Sequence, residues 1–211
     1  LDKENKVILS YGVMGGQYQP VGHCHFLQNF FDFGLSVQES IDFPRAFNLE
    51  MKYKLEKSIS SEIFKELQSL VVWNSAFPWY FNTKVSGVNE EGTFYGTHIA
   101  YHGCKPRSSF FEKVAPIVDT FPDFRALIRI KTNFYPRTTE MFEHGRHVDY
   151  EFENKGALLS LNTCDGFTRL EDGTKVESIE NRILFFDPGQ KHNSSTTTNE
   201  RGRFNINFNY L

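Results

Sequence analysis

At 211 residues the chain can bury a core of its own, as one domain of ordinary size or as one domain with an appendage. A formal net charge of -3 gives no basic excess for gripping phosphate backbones, so nucleic acid is not an expected partner. Cys24, Cys104 and Cys164 form no CxxC pair, no apolar run reaches bilayer length, and no signal-peptide pattern opens the chain. A disulfide framework and a membrane span are thereby excluded, and a cytoplasmic protein is expected. The 22 Phe and 9 Tyr favour strands, because aromatic side chains fit a half-buried pleated surface.

The chain opens on Leu1, and a longer natural front is expected. Its first segment reads Tyr11-Gly-Val-Met-Gly-Gly-Gln-Tyr-Gln-Pro-Val-Gly-His23, then Asn29-Phe-Phe-Asp-Phe-Gly34, then Gln38-Glu-Ser-Ile-Asp-Phe-Pro-Arg45. Over residues 5–47 this resembles the C-terminal part of the small subunit of γ-glutamyltransferases. The resemblance assigns Gly15 and Gly16 to an oxyanion hole, where glycine lets backbone N–H groups approach a developing negative charge. A plain turn is the competing reading of the same pair. The nucleophile of that family is an N-terminal threonine, and nothing here matches it. Residues 1–48 are therefore expected to form a fragment without acyl-transfer activity.

The character of the sequence changes near residues 46–52. Ser60 is placed to cap a helix whose apolar positions Ile63, Phe64, Leu67, Leu70 and Val71 follow helical spacing. The run Phe77-Pro-Trp-Tyr-Phe81 is too irregular for a helix face. A second helix is expected from Ser109, with Glu112 closing a capping box and Pro116 bending the helix. Val85 to Pro106, with His98, His102 and the adjoining Arg107, is a candidate for the substrate mouth. From Arg125 onwards strand signals take over, and Glu171-Asp-Gly173 marks a hairpin turn.

Three positions in this last region have the chemistry of metal ligands. In a strand, His147 and Asp149 would point to one face. His192 follows the apolar run Ile183-Leu-Phe-Phe186, 43 residues beyond Asp149, a distance that suits the chain's return through antiparallel strands. Two histidines and one carboxylate leave the opposite side of iron(II) open for a bidentate cosubstrate and dioxygen. Arg203 opens an alternating strand, with Phe204, Ile206, Phe208 and Tyr210 on one face and Arg203, Asn205, Asn207 and Asn209 on the other. A guanidinium inside a barrel needs an anion, and the distal carboxylate of 2-oxoglutarate would meet it with paired hydrogen bonds. Arg201 competes for that role.

With Phe134-Tyr-Pro136, His147-Val-Asp149, Asp165-Gly-Phe-Thr168, Asn181-Arg-Ile-Leu-Phe-Phe186, His192 and Arg203-Phe-Asn-Ile, residues 49–211 resemble a prolyl-hydroxylase-like 2-oxoglutarate/iron(II) oxygenase. The resemblance implies a mainly β fold, a double-stranded β-helix (jelly roll) with two or more flanking helices and the short front segment as an extension. It implies that His147, Asp149 and His192 bind iron(II), that Arg203 and Tyr135 bind 2-oxoglutarate, and that dioxygen is the oxidant. A hydroxyl from Thr196, Thr197 or Thr198 would assist. The expected substrate is a small molecule or a peptide, because selectivity on this scaffold lives in variable loops. The alternatives are a non-catalytic jelly-roll or cupin-type metal-binding module and a γ-glutamyltransferase fragment.

Overall fold

The computed structural model of the chain describes residues 6–12, 19–42, 46–49, 52–57, 59–85 and 94–211. It divides into two compact units, residues 1–56 and 57–211, whereas the sequence reading put the seam after residue 48. Gly15 and Gly16 lie outside the described residues.

The first unit holds α1 (Gln19–Leu27), a wider helical turn over Gln28–Asp32, α2 (Val37–Asp42) and an antiparallel hairpin of β1 (Ala46–Leu49) and β2 (Lys52–Lys57). A capping box starts α2: Ser36 Oγ accepts from Glu39 N at 3.2 Å, and Ser36 N donates to Glu39 Oε2 at 2.8 Å. Phe26 is buried with its ring centroid 4.8 Å from that of Tyr11, but Phe31, Phe33, Val37 and Ile41 stand exposed.

In the second unit, α3 (Ser61–Gln68) starts as expected, with Ser60 Oγ accepting from Ile63 N at 3.4 Å. Its buried face carries Phe64 and Leu67. The next helix differs from its prediction. Ser109 already has helical angles and makes no side-chain cap, so no capping box forms, and α4 is a single turn, Phe110–Val114. Pro116 has no N–H to continue the α pattern, and the chain tightens into a 3-10 helix over Ala115–Thr120.

Strands β3 (Tyr80–Asn82), β4 (Tyr95–His102), β5 (Leu127–Pro136), β6 (Lys155–Ser160), β9 (Ile183–Phe186) and β11 (Gly202–Tyr210) form the major antiparallel sheet of this unit. Their order is β9–β6–β11–β5–β4–β3. The minor sheet is β10–β7–β8, from β7 (Cys164–Arg169), β8 (Lys175–Ser178) and β10 (Asn193–Ser194). The hairpin joining β7 and β8 turns through Gly173, whose φ of +86° falls in the region glycine adopts without strain. Together the two antiparallel sheets make the expected jelly roll.

The alternation in β11 decides where the core sits. Phe204, Ile206, Phe208 and Tyr210 join Leu67, Val71, Val114 and Ile117 in one apolar cluster between the major sheet and the helices. The opposite face of β11 is polar yet equally buried: Arg203 and Asn209 are at most 1% exposed. The barrel interior is thus lined with polar groups, and such groups must be hydrogen-bonded or face a ligand. No helix among the described residues is long and apolar enough to cross a membrane.

Candidate metal centre

His147 and Asp149 do not lie on a regular strand, contrary to the sequence reading. They sit in an extended segment tied down at isolated points. His147 N donates to His192 O and His192 N donates to His147 O, both at 2.9 Å, while Asp149 N donates to Pro188 O at 2.9 Å. The two histidines are therefore cross-strand neighbours, fixed by their own backbones, with ring centroids 4.8 Å apart. Ligand atoms of His147, Asp149 and His192 all lie within 4.8 Å of one another, the scale of one coordination sphere.

Each ligand is oriented by its surroundings. His192 Nδ1 lies 2.9 Å from Gln190 O and His147 Nδ1 lies 3.4 Å from Gly145 O, so Nδ1–H donation to a carbonyl leaves both Nε2 lone pairs for a metal. Burial, and then the neighbouring His192, push the His147 imidazole below its usual pKa, which keeps it neutral. Burial pushes the Asp149 carboxyl upwards, but Arg129 and then Asn209 outweigh it and hold the group well below the usual carboxylate range. Asp149 Oδ1 meets Arg129 at 2.9 Å, and Oδ2 accepts from Asn207 at 3.1 Å and Asn209 at 2.9 Å. The donor set is thus two imidazoles and one ionised carboxylate, which fits a divalent transition metal with open positions.

A cavity of about 40 Å³ adjoins the triad, lined from both sheets by Lys131, Asn133 and Tyr135 of β5, Asn205 and Asn207 of β11, Thr168 of β7 and Ser194 of β10. It has room for about one water, so a larger ligand must displace lining side chains. Lys131 was not singled out by sequence. Burial, and then Arg129, push its ammonium down to about 8, with Asp149 pulling the other way.

Arg203 lies behind this cavity, 1% exposed, while Arg201 is exposed and faces Trp73. Arg203 Nε donates to Ser178 Oγ at 2.7 Å, Nη1 to Phe167 O at 2.6 Å and Ser195 O at 3.4 Å, and Nη2 to Thr168 Oγ1 at 2.7 Å. Among the described residues no carboxylate pairs with it. Burial pushes the guanidinium below its usual range, offset in part by Tyr135 and Cys164. Neutral protein acceptors occupy four of its five N–H donors. The remaining Nη2 N–H and the hydroxyl of Thr168, which lines the cavity, are the groups that can meet an anion. Tyr135 is buried with its ring 5.6 Å from the guanidinium.

Other candidates fall elsewhere. Thr196 Oγ1 bonds Thr138 Oγ1 and Phe142 N, while the hydroxyls of Thr197 and Thr198 go to Asp165. His98 is buried among Phe77 and Phe110, with ring nitrogens on Pro78 O at 2.9 Å and Ser108 Oγ at 2.7 Å, away from the cavity. Arg107 is exposed and donates to His102 O.

Comparison with known proteins gives two kinds of match. The family model described as Gamma-glutamyltranspeptidase matches residues 1–79, taking in the front segment and running on through α3. The solved structures resembled include those of 2-oxoglutarate oxygenases. A Pseudomonas putida prolyl-4-hydroxylase matches with TM-score 0.52 at 14% identity, over 74% of this chain and 90% of that one. The α-ketoglutarate-dependent non-heme epimerase SnoN of nogalamycin biosynthesis gives 0.52 at 10% identity, over 75% and 77%. A Trichoplax adhaerens prolyl hydroxylase, solved with a hypoxia-inducible-factor peptide fragment, gives 0.50 at 13%, over 94% of each chain. No curated protein matches the sequence. The fold is that of prolyl hydroxylases and other 2-oxoglutarate/iron(II) oxygenases.

Proposed function

We propose that residues 49–211 form an iron(II)- and 2-oxoglutarate-dependent dioxygenase that hydroxylates a small-molecule or peptide substrate. The observation that carries this reading is the convergence of His147, Asp149 and His192 beside a polar cavity backed by a buried arginine without a carboxylate partner. His147, Asp149 and His192 would hold the iron. Arg203, through its remaining N–H and Thr168, would hold the distal carboxylate of 2-oxoglutarate, with Tyr135 alongside. When bound, iron(II) supplies dioxygen activation, coupling decarboxylation of 2-oxoglutarate to succinate and CO2 with hydroxylation of a substrate C–H bond. The chain's part is to fix the ligands, keep the His147 imidazole neutral and exclude bulk water. A cupin-type metal site would leave the buried Arg203 without a task.

Purified protein supplied with iron(II), 2-oxoglutarate and air should release succinate even without its substrate. No succinate, together with no binding of 2-oxoglutarate to the manganese(II)-loaded protein by calorimetry, would sink the dioxygenase reading.

Gly166 tests the support of Arg203. A Cβ there would stand 2.8 Å from Arg203 Cδ and 2.7 Å from Thr196 O, both too close. Gly166→Ala is expected to shift the arginine stem and weaken 2-oxoglutarate binding about tenfold, the loss of roughly one good hydrogen bond. Unchanged calorimetric affinity would show that Arg203 is not held by this contact.

A further inference from the structure

Lys131 has no task in holding the metal or 2-oxoglutarate as assigned above. It lies opposite Asn207 in the β5–β11 register, beside Arg129, whereas Tyr135 lies opposite Arg203. Four residues of strand, about 13 Å at roughly 3.3 Å each, separate Lys131 from the Arg203 end of the barrel. Lys131 is therefore at the metal end, where its charge acts on both His147 and Asp149. Among the described residues its ammonium makes no hydrogen bond and no ion pair, and it lines the cavity. Asp149, the carboxylate at this level, directs its oxygens to Arg129, Asn207 and Asn209 instead.

The charges do not close without another anion. Among the described residues Asp149 faces two cations, Arg129 and Lys131, and Arg203 adds a third at the far end of the barrel. Glu143 is engaged by Arg169 at 2.5 and 2.9 Å. Iron(II) and the 2-oxoglutarate dianion cancel formally, so the loaded site keeps an excess of two positive charges. A cation partly removed from water is costly without a counter-charge. Two amide oxygens on the same cavity, Asn133 Oδ1 and Asn207 Oδ1, accept no hydrogen bond. A ligand with an anionic acceptor and a neighbouring N–H or O–H donor would complement both deficits.

We infer that Lys131 is a substrate-binding residue, taking a carboxylate of the primary substrate beside the metal, and that the enzyme acts on carboxylate-bearing substrates. The inference rests on the dioxygenase reading. Acetate and acetamide, alike in shape but not in charge, are the probes, and the readout is broadening of their methyl proton signals by manganese(II) in the 2-oxoglutarate-loaded protein. Acetate should be broadened at least tenfold more strongly than acetamide. Lys131→Met, matched in length, should erase the difference, Lys131→Arg should keep it, and both should bind 2-oxoglutarate within about twofold of the parent. N-acetyl-aspartyl amide distinguishes the source: broadening of acetate alone points to a small acid, while broadening of the capped aspartate points to a peptide side chain, and either supports Lys131. Equal behaviour of acetate and acetamide, or an acetate signal indifferent to Lys131→Met, would overturn the inference. So would a tenfold loss of 2-oxoglutarate affinity in Lys131→Met, since the lysine would then serve the cosubstrate. Failure of the parent protein to bind manganese(II) and 2-oxoglutarate would instead overturn the dioxygenase reading, and this inference with it.

Discussion

His147→Ala is expected to lower manganese(II) or iron(II) affinity at least 100-fold and to take succinate release below detection. Loss of an outer partner alone costs a metal site about 10- to 100-fold, and loss of a ligand costs more. The fold should survive, because His147 is held to His192 through backbone N–H and C=O groups that alanine retains. Asp149 also keeps its partners Arg129, Asn207 and Asn209, so the change leaves no buried carboxylate stranded. Calorimetry with manganese(II) and a thermal melt check both halves. Unchanged metal affinity would remove His147 from the centre, and a collapsed melt would assign it a structural role.

Arg203→Met should separate ligand binding from stability. The guanidinium is buried with neutral acceptors and no carboxylate partner, so the ligand-free fold bears the cost of its desolvation. Methionine relieves that cost but leaves Phe167 O, Ser178 Oγ and Thr168 Oγ1 without their donor, at about 1–3 kcal/mol for each acceptor that finds no water. These terms oppose, and the ligand-free variant is expected within about 2 kcal/mol of the parent. Binding should suffer far more. Cosubstrate at about 100 times its Kd stabilises the metal-loaded parent by roughly 2.7 kcal/mol, visible as a rise in Tm. In Arg203→Met that rise should vanish, with an affinity loss of about 100-fold. A variant that still gains Tm from 2-oxoglutarate would show that Arg203 does not bind it.

Legibility differed between elements for physical reasons. The helix after Ser60 was readable because its cap and apolar stripe are local signals, and both are present. The capping box at Ser109 failed because the same Ser-x-x-Glu pattern forms only when the first residue is non-helical, and Ser109 has helical angles. The pattern at Ser36-Val-Gln-Glu39 went unread yet forms the box. In β11 strict alternation announced two faces, and both exist. In β5 no local pattern singles out Lys131, whose interest depends on lying opposite Asn207.

The sequence by itself picked out His147, Asp149, His192 and Arg203 as one candidate site, from their residue types and spacing, and the structure brings the first three together. It also separated a γ-glutamyltransferase-like front from the jelly-roll part, since composition and motif change along the chain. Only the tertiary structure decided how the site is held. Backbone pairing of His147 with His192 replaces the expected strand, and the outer partners of Asp149 come from residues 129, 207 and 209. The thread of threonines 196–198 turned to other loops, and Thr168 and Ser178 took the places beside Arg203. Such partners meet across sheets, through hydrogen bonds between residues far apart in the chain. Local pattern carries the ligands because metal chemistry restricts their type. It cannot carry their supports, because many polar residues serve equally well until the fold selects one.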